Sequence, residues 1–251
     1  MPRFFVTASQ IGLRDDGRKT VLILGDDAAH ITRSLRMKEG ENITVCDMAG
    51  REYLCKIISL KEAVCALVES ERAADSEPPY RAVLYQALVK GDKFDTVVQK
   101  AVECGVSEIV PILTERCVTR LDKSSCAKKT VRWQRIADEA AKQCGRGTLI
   151  KIRELMTFKE AVSDAAKCAL PLFCYEGESS RTLPTALRSA DRPESISVVI
   201  GSEGGFSQKE ASVATDAGLI SVGLGKRILR TETASSFVLA CLSFNYELQD
   251  R

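Results

Sequence analysis

A chain of 251 residues accommodates one large domain or two ordinary ones, and its 45% apolar content is enough for a buried core. Charged residues make up 28%, with 36 Lys and Arg against 34 Asp and Glu, so the formal charge of +2 excludes a global basic field. Any nucleic-acid contact is left to local clusters.

The ten cysteines form no Cys-x-x-Cys pair and lack a His-rich partner segment, so no metal site of zinc type is expected. The longest apolar runs fall far short of a membrane span. The opening Met1-Pro2-Arg3-Phe4-Phe5 carries charge but no apolar stretch, so no export leader is expected. Thiols without such a leader fit a reducing cytoplasm.

In chain order, short β-rich runs come first: 21–24, 43–46, 53–58 and 63–68. Asp47-Met48-Ala49-Gly50 between two of them predicts a hairpin. One helix is expected from about Asp26 to Arg36. Several short strands in seventy residues imply a small β-barrel over 1–72. His30 is the only histidine. With Arg33, Arg36, Lys38 and Arg3 it forms a local basic group suited to phosphate contacts, which orient RNA without reading its sequence. A solvated helix face accounts for the same residues.

From Glu69 to Pro79 the chain is polar and charged and ends in two prolines, which reads as a linker centred on 73–80. Beyond it, over 81–251, strand and helix alternate. Continuous apolar runs at 82–87, 109–113, 149–152, 169–175, 196–200 and 219–222 suit a parallel sheet covered on both faces. Phe94, Val97, Val98, Ala101 and Val102 share one helix face, with Gly105 as a stop. Trp133, Ala137, Ala140, Ala141 and Cys144 do the same before Gly145. Thr157 with Glu160, and Ser207 with Glu210, are capping-box pairs. A last helix is expected from about Thr233 to Gln249. The fold class is therefore α/β, an open sheet domain behind a small barrel.

Two segments carry chemistry. The strand Val198-Val199-Ile200 runs into Gly201-Ser202-Glu203-Gly204-Gly205-Phe206-Ser207, a glycine-rich turn before a capped helix. Ligands of open α/β sheets bind at such strand ends. Read alone, a tight turn with no ligand accounts for it equally well. It lacks the lysine and spacing of a phosphate-binding loop. The second, Gly223-Leu224-Gly225-Lys226-Arg227-Ile228-Leu229-Arg230-Thr231-Glu232-Thr233-Ala234, is longer and more charged than a plain connection. Two such loops at neighbouring strand ends can form one pocket.

Together these segments resemble the signature of the 16S ribosomal RNA (uracil-N3)-methyltransferase family of the SPOUT class. Ser202 stands where that family more often has proline. The similarity continues in Arg132-Trp133-Gln134-Arg135-Ile136 with Glu139 and Gln143, in Gln86, Lys90 and Lys100, and in the run from His30 to Gly40. It therefore covers nearly the whole chain.

The resemblance implies a C-terminal domain with a deep trefoil knot behind a PUA-like RNA-binding barrel. It implies S-adenosylmethionine as cofactor, 16S ribosomal RNA as substrate and a homodimer. By the same resemblance the cofactor sits on knot loops after Tyr175, Ile200 and Val222. Its contacts are Tyr175, Glu176, Ile200, Gly201, Gly204, Leu224, Gly225, Ile228, Leu229, Thr231 and Ala234.

Uracil N3 must lose a proton to become a good nucleophile. A fixed cation would stabilise the developing charge: Arg230 first, Arg227 second. Either Glu203 or Glu232 is placed to accept the proton, although a carboxylate at 232 also suits a helix N-terminus. Glu139, Gln143 and Arg146 form a polar stripe that lines either a substrate cleft or a solvated face.

Three rivals stand beside this reading. A ribose 2′-O-methyltransferase is expected to carry a Ser-Leu-Asn type run at Arg230-Thr231-Glu232. A non-catalytic ribosome-assembly protein is expected to have a decayed pocket. A nucleotide hydrolase needs a phosphate-binding lysine and metal ligands.

Overall fold

The computed structural model describes residues 1–61, 63–178 and 180–249, apart from the side chain of Lys123. The chain forms two compact units, Met1–Glu77 with Ala141–Leu149, and Pro78–Ala140 with Ile150–Arg251.

The first unit is a six-stranded sheet in the order β1-β4-β5-β6-β3-β2. Its strands are β1 (Arg3–Phe5), β2 (Ile11–Leu13), β3 (Lys19–Ile23), β4 (Asn42–Cys46), β5 (Arg51–Leu60) and β6 (Val64–Ala73). Only β1 and β4 pair in parallel; the other ladders are antiparallel. Residues two apart, such as Ile43 and Val45 or Tyr53, Cys55 and Ile57, point inward onto one core with Phe4, Val21 and Ile31. The expected hairpin joins β4 to β5, with Asp47 Oδ1 accepting from the Ala49 and Arg51 amides.

Two expectations change here. The run Glu69–Ala73 is strand, not linker. Its charges meet opposite charges across the ladder: Arg72 pairs with Glu52, Glu71 with Arg51, and Glu69 with Lys56. The helix expected over 26–36 is one turn, α1 (Gly25–Ala29), followed by a wider π turn over His30–Ser34. Thr32 Oγ1 bonds back to the Ala28 carbonyl there, a competition that loosens helices.

The segment Ala141–Leu149 returns to this first unit, which a division at 81 did not foresee. Ion pairs explain it. The Arg146 guanidinium, 5% exposed, meets Glu77 at 2.7 Å. The same carboxylate accepts from the Gly147 amide at 2.8 Å. Burial raises the Glu77 carboxyl, but Arg146, the Gly147 amide and Thr148 outweigh it and hold it below the usual range. Arg146 is therefore not an exposed RNA contact. Nor is Arg3, whose guanidinium meets Glu52 at 2.6 Å and the Cys46 Sγ at 2.8 Å. Glu77→Ala strands a buried guanidinium and is expected to lower stability by about 3 kcal/mol in denaturant titration.

In the second unit every strand pairing is parallel, in the order β10-β8-β7-β12-β11-β13 with β9 also on β8. The strands are β7 (Arg81–Ala87), β8 (Glu108–Leu113), β9 (Lys151–Ile152), β10 (Met156–Thr157), β11 (Leu170–Cys174), β12 (Ser195–Ile200) and β13 (Ile220–Val222). The helices are α2 (Lys93–Glu103), α3 (Lys123–Cys144), α4 (Phe158–Ala165), α5 (Leu183–Arg188), α6 (Gln208–Asp216) and α7 (Thr231–Tyr246). In β7 and β12 consecutive residues are buried, because helices cover both faces. Both capping boxes form, Thr157 with Glu160 and Ser207 with Glu210. The last helix begins at Thr231, two residues before its expected start.

The strand order positions the site. β12 lies between β7 and β11, while β13 lies beyond β11. The loops leaving β11, β12 and β13 therefore emerge side by side at one edge of the sheet. The chain after β13 runs against the loop after β11: the Gly223 amide donates to the Arg181 carbonyl at 2.9 Å. It then crosses back to start α7 beside β12 and β7.

Candidate active site

At position 223 two backbone segments run so close that a Cβ would overlap the Glu178 carbonyl oxygen, so only glycine fits. At position 205 the backbone is left-handed, with φ of 65°, and a Cβ would lie 2.9 Å from a Glu176 oxygen. The glycines thus let the three loops close onto one another.

They enclose a cavity of about 460 Å³, within the range of small-molecule sites. The first loop contributes Tyr175, Glu176 and Glu178 behind Cys174. The second contributes Ile200, Gly201, Ser202, Glu203 and Gly205. The third contributes Gly223 through Arg230, and α7 contributes Thr231, Glu232 and Ala234. Every residue expected at the cofactor or the chemistry lines this cavity except Gly204. Gly204 turns outward, and Arg116 Nη1 donates to its carbonyl at 3.0 Å. Gly205 takes the lining position instead.

A buried clasp holds the cavity floor. Gln86 Nε2 on β7 donates to Thr231 Oγ1 at 2.9 Å, and that hydroxyl donates to the Gly201 carbonyl at 2.6 Å. One side chain so ties β7, the loop after β12 and the first turn of α7. Thr231→Val leaves the Gly201 carbonyl without its donor and the Gln86 amide with the Ala87 carbonyl alone. The expected result is about 2 kcal/mol lower stability and a raised Kd for any ligand of the cavity, read by melting and calorimetry.

Lys93, at the start of α2, was not foreseen. Its ammonium lies 3.6 Å from Glu203 Oε1 and 4.0 Å from Glu232 Oε1. The available signal was a cation in a helix's first turn, where the dipole disfavours one. Burial raises the Glu203 carboxyl, but the Lys90 amide, its own amide and Lys93 outweigh it and hold it below the usual range. Glu232 differs: its Oε2 is buried without a hydrogen-bond partner. Ser202 Oγ is likewise buried and unpartnered. Natural interiors rarely leave such atoms unsatisfied, so both point to a polar ligand in the cavity.

At the rim, Lys226, Arg227 and Arg230 are exposed and make no ion pair among the described residues. The expected RNA-contact residues lie elsewhere. His30, Arg33, Arg36 and Lys38 are exposed in the first unit, as is Gln143. Arg3 and Arg146 are turned inward as described. The described residues contain no His, Cys, Asp or Glu group able to hold a metal and no helix able to cross a membrane.

Residues 76–243 match the model of an RNA methyltransferase domain, and residues 23–68 match that of an RNA methyltransferase PUA domain. Ribosomal RNA small subunit methyltransferase E of Bacillus subtilis (strain 168) is 31% identical over 256 residues, covering 99% of this chain and 98% of its own. Two solved structures are also similar over nearly the full chain. The same enzyme from Neisseria gonorrhoeae, bound to S-adenosyl methionine, has a TM-score of 0.81 at 31% identity, covering 98% of each chain. A putative methyltransferase from Legionella pneumophila, in complex with the cofactor SAM, has a TM-score of 0.84 at 30% identity, covering 97% of each.

Proposed function

The chain belongs to the ribosomal RNA small subunit methyltransferase E family, and from that premise we propose that it methylates N3 of a uracil in 16S ribosomal RNA, using S-adenosylmethionine. The observation that carries this reading is the convergence of the turns at Gly201 and Gly223 on one cavity with Arg230 at its rim.

The residues present fit the cofactor. The glycine turns offer backbone for close approach, and the orphaned Ser202 hydroxyl and Glu232 oxygen offer polar partners. Glu176 and Glu178 offer acceptors for ribose hydroxyls or an amino group. The apolar contacts are Ile200, Leu224, Leu229 and Ala234. When bound, S-adenosylmethionine supplies the electrophilic sulfonium methyl.

The protein positions the base and manages its proton. Holding N3 in line for attack supplies much of the rate. Glu232 Oε2, lacking another partner, takes the N3 proton. Arg230 stays protonated and stabilises the charge that develops on the uracil oxygens. Lys93 holds Glu203 and Glu232 at the cavity wall. Glu203, tied to the Lys90 amide, fixes the loop.

The return of the chain from β13 to α7, past the loop after β11, is in this reading the crossing of a deep trefoil knot, rare among folds. The working form is a homodimer. Its support is α7, which exposes Phe237 and Phe244, with Leu248 just beyond; light scattering reads the mass directly. The first unit's exposed His30, Arg33, Arg36 and Lys38 bind RNA phosphates.

An intact cavity weighs against a non-catalytic assembly factor. The decisive experiment is mass spectrometry of 16S ribosomal RNA from cells with and without the gene. One methyl-uridine is expected to vanish. An unchanged inventory removes this function.

A further inference from the structure

The balanced total charge hides a run of four cations on α3, ahead of Asp138 and Glu139. Between Ser124 and Ala137 the helix carries Lys128, Lys129, Arg132 and Arg135 and no Asp or Glu. Lys128, Arg132 and Arg135 stand three and four residues apart, so they form one stripe, opposite the buried Cys126, Trp133 and Ala137. Lys128, Lys129 and Arg135 are exposed and make no ion pair among the described residues. Like charges at these spacings repel.

The stripe is also joined to the cavity. Arg132 reaches Asp92, at 3.7 Å, and Asp95 in the first turn of α2. Lys93, in that same turn, lines the cavity. Next to Glu203, Arg116 holds the outward Gly204 carbonyl. The first turn of α2, with Lys93 on the cavity and Asp92 and Asp95 on Arg132, therefore bridges the cavity to α3.

We propose that this face of α3 is a second RNA contact, on the catalytic unit itself, gripping the phosphodiester backbone beside the target base. It rests on the reading of the cavity as an RNA methyltransferase site. Charge complementarity selects the occupant, because Lys128, Lys129 and Arg135, exposed and in no ion pair among the described residues, suit a polyanion even with Asp92 and Asp95 on Arg132 and with Glu139 one turn on. Contacts to phosphate position the strand and carry no sequence information.

The test uses the full-length protein, an unmodified 16S ribosomal RNA transcript and no methyl donor. Binding is measured across a potassium chloride series for the wild type and for K128A/K129A/R135A. Removing three phosphate contacts is expected to flatten the slope of log affinity against log salt by about 2. Under turnover the defect is expected in KM for RNA rather than in kcat. K128R/K129R is expected to keep the wild-type slope.

An alanine variant with wild-type slope and affinity overturns the proposal. So does an arginine variant as defective as the alanine one, because packing would then be at issue. Loss of binding to anionic phosphatidylglycerol vesicles with an unchanged RNA slope also overturns it. Should the triple variant unfold, K128A alone carries the test at about a third of the change. Wild-type binding of S-adenosylmethionine, read by calorimetry, separates failure of this face from failure of the enzymatic reading.

Discussion

Glu232→Gln is expected to lower kcat by about 10²–10⁴-fold, the usual contribution of a positioned general base, while Glu203→Gln leaves most of the rate. The two carboxylates line the same cavity and share Lys93. Their partners separate them. Glu203 accepts from the Lys90 amide at 3.0 Å and is held below the usual carboxylate range, which makes it a poor proton acceptor. Glu232 keeps one buried oxygen with no partner.

The anchoring by Glu203 is fully present above the ordinary carboxylate value and is lost as pH falls through the depressed one. The melting deficit of Glu203→Gln should therefore be visible at pH 7 and should narrow only below the ordinary carboxylate range. The competing account of Glu232 is a carboxylate stabilising the start of α7, worth about 0.3–1 kcal/mol. That account predicts a lower melting temperature and an intact single-turnover rate. An intact rate in Glu232→Gln would remove it as the base.

The parallel sheet was legible because its signal is local: buried runs of five or six apolar residues, and capping boxes at Thr157 and Ser207. The convergence of the turns at 201 and 223 was legible in residue type, because glycine is required where backbone segments nearly touch. Other features depend on partners distant in sequence. Glu69–Ala73 looks like linker until the opposite charges of β5 are aligned with it. Arg3 and Arg146 look like RNA contacts until Glu52 and Glu77 are placed beside them. Lys93 and the Gln86–Thr231–Gly201 clasp span long stretches of chain, so no window of sequence contains them. Gly204 and Gly205 are neighbours of one type, and only backbone direction decides which faces the cavity.

Arg230→Ala is expected to lower kcat by about 10²–10³-fold, the loss typical of removing one preorganised charge stabiliser. Arg230 occupies the cap of α7, so its backbone is fixed by the helix while its side chain stands exposed at the rim. It makes no ion pair among the described residues, which leaves the guanidinium available to substrate. The clasp at Thr231, one residue on, fixes where that guanidinium starts.

Because arginine does not titrate in the working range, the variant should lose rate uniformly with pH and retain the shape of the profile. Arg230→Lys should recover part of the loss, since charge returns without the planar fork. Arg227, exposed on the same loop, is the internal comparison. If Arg227→Ala costs more rate than Arg230→Ala, the two residues exchange roles. If neither slows single-turnover methyl transfer, Lys226 on the same loop and Lys93 on α2 are the remaining cations lining the cavity to examine.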